Sequence, residues 1–362
     1  MSILFTPVQV GSVTVLNRFV RSATHDFMAD DEGFVMEAHI KLYSRLAEGE
    51  VGLIITGHAH VQPSGQASRR QMAVFDDRFV AGLARIPEAV HRFPSRVFLQ
   101  IAHAGRQTKE KLCGCVPVSP SAVYDPASKV MPRELAADEV RALIADFVSA
   151  GARAKRAGFD GVQLHAAHGY LLSSFLSPHT NRRADEWGGP VENRSRVLVE
   201  VLRGVKAACG WNFPVIVKLN STDFLEGGLV LEDAVRVARL IEAEGIDGIE
   251  VSGGMAEAGR GSIWAGVRSE NDEGYFVAAA ARIKQAVQVP VFGLGGIRTL
   301  AVAERIVREG RVDLVSLSRP FIRDPFLVKH FREGLVTKSK CVSCGKCLNP
   351  RGIRCAELTK KP

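Results

Sequence analysis

The chain has 362 residues, 46% of them hydrophobic and 24% charged, with a formal net charge of +8. That composition excludes disorder, collagen and coiled coil, and it supplies material for a large core. No apolar run reaches the roughly 18 residues needed to span a bilayer.

The N-terminal MSILFTPVQVGSV lacks the basic start and long apolar stretch of a signal peptide. We therefore expect a cytoplasmic protein with no membrane partner. The charge is uneven: positions 336–362 carry seven basic residues and one acid. The remaining body is close to neutral, which argues against a broad nucleic-acid surface. Seven cysteines in such a chain read as thiols or metal ligands rather than disulfides.

In chain order, short β-branched runs alternate eight times with amphipathic stretches. The runs are 18–24, 51–57, 96–103, 161–167, 214–220, 248–254, 290–296 and 314–320. Predicted helices between them include 137–157, 191–208, 231–244 and 299–309. In 231–244, Ala234, Val237, Ala238 and Ile241 recur at three- and four-residue spacing, the stripe of a helix with one buried face. Nearly continuous apolar strands are buried on both faces, and alternation with helices means parallel pairing. Eight such units predict an α/β fold, a (β/α)8 TIM barrel. Val8–Val10 and Val13–Val15, around Gly11, predict a hairpin closing the barrel bottom. We expect one domain over 1–335 and a Cys-rich basic appendage over 336–362.

In such a barrel the site lies at the C-terminal ends of the strands. Polar groups interrupt the apolar runs there: Thr24 and His25, Gln100 and His103, His165, Lys218, Ser318 and Arg319. Unpartnered, they cost stability. Gly295-Gly296 before a helix suits a phosphate, with Arg319 adding a charge-assisted bond; a plain turn is the alternative. Lys218 inside a buried run suits an anionic cofactor edge or an ion pair with a barrel carboxylate. His165 and His168 can donate hydrogen bonds to one carbonyl oxygen, and the nearby Tyr170 is a weak acid. Metal binding or structural hydrogen bonding are the alternatives for the two histidines. Cys341, Cys344, Cys347 and Cys355 suit zinc or an iron–sulfur cluster, or are free thiols.

These residues resemble the old yellow enzyme family of FMN-dependent oxidoreductases. The likeness runs from Leu4-Phe5-Thr6-Pro7 through Gln100-Ile101-Ala102-His103-Ala104-Gly105-Arg106 and His165 to Tyr170. It continues through Asn181-Arg182-Arg183-Ala184-Asp185-Glu186-Trp187-Gly188-Gly189 and ends with Arg319-Pro320-Phe321. The resemblance implies a barrel holding FMN, with NAD(P)H as reductant. Gln100 and Lys218 would contact the flavin ring, and Ala23, Thr24 and His25 would line it. Gly295, Gly296, Ser318 and Arg319 would hold the phosphate end. His165 and His168 would bind an enone substrate in a pocket that includes Tyr275, and Tyr170 would donate the proton.

His25 and the tail Cys-Val-Ser-Cys-Gly-Lys-Cys-Leu are similar to the dienoyl-CoA reductase and trimethylamine dehydrogenase branch. That branch carries a 4Fe-4S cluster and continues into FAD- and nicotinamide-binding domains, so this chain looks like its first domain. The gap to Cys355 is shorter here, which leaves zinc or a cluster. The likeness implies an ene-reductase. Its alternative is a flavin/iron–sulfur electron-transfer subunit with a separate redox partner. A homo-oligomer is compatible with either reading.

Overall fold

A computed structural model describes residues 2–259 and 261–358. Its centre is a closed ring of eight parallel strands: β1 (Phe19–Arg21), β2 (Leu53–Ile55), β3 (Arg96–Ala102), β4 (Gly161–Ala166), β5 (Val215–Asn220), β6 (Gly248–Ser252), β7 (Val291–Gly293) and β8 (Leu314–Leu317). The last strand pairs with the first, Val315 beside Phe19, and this closes the barrel. Each strand falls inside one of the eight apolar runs, because only segments apolar on both faces tolerate burial between an interior and a helical shell.

The shell is α1 (Glu37–Glu48), α2 (Val80–Val90), α3 (Ala137–Arg156), α4 (Val191–Cys209), α5 (Leu231–Ala243), α6 (Val277–Lys284), α7 (Leu300–Arg308) and α8 (Leu327–Arg332). Helix α5 buries Ala234, Val237, Ala238 and Ile241, the stripe its spacing predicts. None of the described helices is long and apolar enough to cross a membrane.

The interior divides by height. Low in the barrel, Val20, Leu53, Ile55, Phe98, Ile216, Phe292 and Leu314 pack together with Val10 and Val15 of the N-terminal hairpin. The hairpin is thus the barrel's plug. Gly161 makes room for this layer: a Cβ there would lie 2.8 Å from the Phe98 ring. Above the plug the inward-facing residues turn polar.

The tail lies across the mouth of the barrel. Leu300 N–H donates to Thr337 O at 2.9 Å, Ser339 N–H to Arg298 O at 2.8 Å and Ile353 N–H to Asp26 O at 2.7 Å. Glu273 secures the same rim: its carboxylate accepts from the backbone N–H groups of Arg298 and Thr299 at 2.9 and 3.0 Å.

At the opposite end, Lys206 is buried and its ammonium contacts Asp247 and the carbonyls of Trp211 and Phe213. Removing one member of a buried pair leaves the other uncompensated. Lys206→Ala is therefore expected to lower folding stability by about 3 kcal/mol, read as a lower urea midpoint. Ligand affinity at the mouth is expected to stay unchanged; loss of affinity with an unmoved midpoint would contradict this division of the barrel.

Candidate active site

A cavity of about 400 Å³ opens at the C-terminal ends of the strands. It is lined by Ala23, Thr24, His25, Gln100, His165, His168, Tyr170, Lys218, Tyr275, Gly295, Gly296, Ser318 and Arg319, and from the tail by Cys347. Of the polar groups expected at the strand ends, His103 alone is off that wall: its Nδ1 accepts from Gly105 N–H and its Nε2 lies 3.2 Å from Ser64 Oγ, so it serves the loop.

Across the interior runs a chain of polar side chains. Gln100 Nε2 donates to Gln163 Oε1 at 2.7 Å, and Gln163 Nε2 donates to Glu250 Oε2 at 3.0 Å. Lys218 stands beside Glu250 in the strand register, 3.2 Å away, and donates to Ser22 Oγ at 2.8 Å. The ion pair weighed from the sequence is therefore present, and Lys218 lines the cavity as well. Burial opposes ionisation of Glu250, but Lys218, with hydrogen bonds from Ser22 and Gln163, holds its carboxyl below the usual range. The sequence reading missed Glu250, although a carboxylate inside an apolar run is the same signal that exposed Lys218.

His165 ends β4 beside Lys218 in the register. The chain then turns sharply at His168, which sits in the left-handed region at φ 64°, followed by Gly169 at φ 79°. A non-glycine residue there is strained, and strain of this kind gathers at functional sites. Asn220 Oδ1 accepts the His168 N–H at 3.0 Å, and Ser252 Oγ meets His168 Nε2 at 2.7 Å. The turn brings three rings together: His165 lies 5.2 Å from His168 and 4.6 Å from Tyr170, centroid to centroid. Burial first, then neighbouring histidines and Lys218, pushes His165 well below its ordinary pKa. Burial and then Lys218 push His168 down to about 3. Burial alone pushes the Tyr170 phenol up. At neutral pH the cluster is uncharged, rich in N–H and O–H donors.

His58, on the loop after β2, also lines this wall, and the sequence reading did not single it out. Its ring packs edge-on against Tyr170 at 5.3 Å.

The Gly295-Gly296 turn uses positive φ angles of 124° and 73°. A Cβ on Gly296 would lie 2.8 Å from Val267 and 3.0 Å from Tyr275, so this turn accepts only glycine. Tyr275 stacks on Trp264 at 4.3 Å. Arg319 belongs to the short helix Arg319–Arg323 rather than to β8, and its Nη1 donates to Trp264 O at 2.9 Å and Ser343 O at 3.3 Å.

Cys341, Cys347 and Cys355 are buried and Cys344 is half-buried, all as free thiols. Burial, then the neighbouring thiols, raises Cys347 to about 11. Four thiols are a suitable donor set for zinc or a cluster. Among the described residues, however, no three histidine, cysteine or acidic side chains are gathered to hold a metal ion.

Burial also pushes His25 and His60 down to about 4 and His103 to about 3. In the unfolded chain histidine titrates near 6.5. Between about pH 6.5 and 4 the unfolded chain binds more protons, so stability falls as pH falls through that window. Each such histidine contributes up to about 1.4 kcal/mol per pH unit. Above about pH 6.5 the groups are neutral in both states and contribute no slope. The melting temperature is expected to drop steeply from pH 6.5 to 5; a constant value over that interval would overturn the assignment of neutral buried imidazoles.

The residues match a known family over 3–338, described as the NADH:flavin oxidoreductase / NADH oxidase family. The chain is 38% identical over 344 residues to an NADH oxidase of Thermoanaerobacter brockii, covering 94% of this chain and 52% of that one. It is 34% identical over 336 residues to an NADPH dehydrogenase of Bacillus subtilis, covering 92% and 96%. Among solved structures, a 2-naphthoyl-CoA reductase complex superposes with a TM-score of 0.90 at 30% identity, covering 95% of this chain and 54% of that one. An old yellow enzyme homologue from Zymomonas mobilis gives 0.82 at 26% identity, covering 96% and 97%. The chain thus spans about half the length of the NADH oxidase and the naphthoyl-CoA reductase, and nearly all of the other two. With the closed barrel and its polar mouth, these matches place the chain in the NADH:flavin oxidoreductase / NADH oxidase family, the FMN-dependent NAD(P)H oxidoreductases of old yellow enzyme type.

Proposed function

We propose that the protein reduces the C=C bond of α,β-unsaturated carbonyl compounds, with NAD(P)H as reductant. The observation that carries this reading is the packing of His165, His168 and Tyr170 at one wall of a cavity that also holds Lys218 and Gln100. The buried His25 Nδ1 and His165 Nδ1 have no hydrogen-bond partner among the described residues. Both residues line the cavity. A flat polar ligand such as FMN suits such a wall.

When bound, FMN would supply the hydride chemistry that links NAD(P)H to the β-carbon of the alkene. Gln100 and Lys218 would face its ring, with Ala23, Thr24 and His25 beside it. Gly295, Gly296, Ser318 and Arg319 would hold its phosphate end. His165 and His168, each neutral with one N–H, hydrogen-bond the substrate carbonyl and stabilise the charge that develops there. Tyr170 protonates the α-carbon. Tyr275, stacked on Trp264, borders the substrate space. The solved relative's 2-naphthoyl-CoA is a carbonyl-conjugated ligand, which supports an electron-poor alkene as substrate class.

We place the reaction in the cytoplasm, where thiols stay reduced.

Tyr170→Phe is the direct test. In anaerobic stopped-flow, reoxidation of the reduced flavin by an enone is expected to slow by about 100-fold. Flavin reduction by NAD(P)H is expected to keep its rate. An unchanged reoxidation rate would remove Tyr170 from the role.

A further inference from the structure

We propose that His58 is a positioning residue that turns the Tyr170 proton away from the protein and toward the substrate. The inference rests on the reading of Tyr170 as proton donor.

The backbone N–H of Ala67, which can only donate, meets Gln71 Oε1 at 2.7 Å. This identifies the amide oxygen. The other end of the amide, Nε2, therefore faces His58, 2.7 Å from Nδ1 and 3.3 Å from the carbonyl oxygen. A primary amide nitrogen donates, so His58 Nδ1 is the acceptor and carries no proton. Burial keeps the His58 ring neutral. Its one proton then sits on Nε2.

That nitrogen is 3.4 Å from Tyr170 Oη. Since Nε2–H donates, the phenol oxygen accepts, and the phenol's own proton points elsewhere. Among the described residues Tyr170 Oη has no other hydrogen-bond partner, so the cavity is where that proton points. The backbone beside His58 is fixed as well. Gly57 N–H donates to Tyr43 Oη at 2.8 Å, and a Cβ at Gly57 would lie 2.5 Å from Asp26 Oδ2.

The same hydrogen bond acts during transfer. The Tyr170 O–H bond breaks, a C–H bond forms at the α-carbon, and the electron pair stays on the phenolate oxygen. His58 keeps its Nε2 proton and donates to that oxygen. A hydrogen bond to a charged atom is worth more than one to a neutral atom, so the product side gains. Water then returns a proton to the phenolate.

The experiment is a double-mutant cycle on enone-driven flavin reoxidation, with His58→Leu in the native and Tyr170→Phe backgrounds. His58→Leu is expected to slow reoxidation by about tenfold in the native background, the worth of one hydrogen bond to a charged oxygen, and to have no further effect beside Tyr170→Phe. His58→Gln, which restores a donor of similar reach, is expected to recover the rate to within about threefold. Native-rate reoxidation in His58→Leu would overturn the proposal, as would an equal slowing in both backgrounds. If Tyr170→Phe alone reoxidises at the native rate, the proton-donor reading fails first, which separates the two failures. Should His58→Leu not hold flavin, the cycle is read on His58→Ala with added imidazole. Recovery of the rate by imidazole supports the proposal, and no recovery overturns it.

Discussion

Lys218 and Glu250 stand side by side on β5 and β6, buried, at the height where the barrel interior changes from apolar to polar. A lone ammonium or carboxylate in that position costs several kcal/mol of desolvation. The pair is sustained by Gln163, which donates to Glu250, and by Ser22, which accepts from Lys218, with Gln100 in turn donating to Gln163. The barrel interior below this level is an apolar layer, sealed by the hairpin valines. Everything above it is the site. The strand register sets the order: His165 beside Lys218, Lys218 beside Glu250.

The charge pair also explains the neutrality of the mouth. The His165 and His168 rings are buried and lie near the Lys218 ammonium, and both effects disfavour imidazolium. A neutral imidazole polarises a carbonyl by hydrogen bonding without adding a second positive charge beside Lys218. Tyr170 is likewise held as the phenol by burial. In the proposed reaction a proton leaving it needs a donor waiting at the oxygen, and the His58–Gln71 arrangement is proposed to supply one.

The barrel was legible because each strand is a short run apolar on both faces and each helix carries a stripe at helical spacing. The residues on strands or at strand ends were legible for a related reason: Gln100, His165 and Lys218 interrupt hydrocarbon. Glu250 carried the same signal and was passed over. His58 and Gln71 gave no such signal, since polar residues on loops are ordinary. Their relation to Tyr170 exists only once β2 and β4 close around one cavity. Arg319 read as a strand residue because its neighbours are apolar, whereas the chain has already entered a helix. The tail was expected as an appendage, yet backbone hydrogen bonds to Asp26, Arg298 and Leu300 lay it over the mouth.

In the proposed function this mouth passes reducing equivalents from NAD(P)H to a conjugated alkene. The most direct measurement is single turnover without oxygen: flavin-loaded protein is reduced with one equivalent of NADPH, then mixed with 2-cyclohexenone. The account predicts full return of oxidised-flavin absorbance with one equivalent of saturated ketone formed. Flavin that stays reduced in the presence of excess enone, yet is reoxidised at once by an artificial electron acceptor, would contradict it.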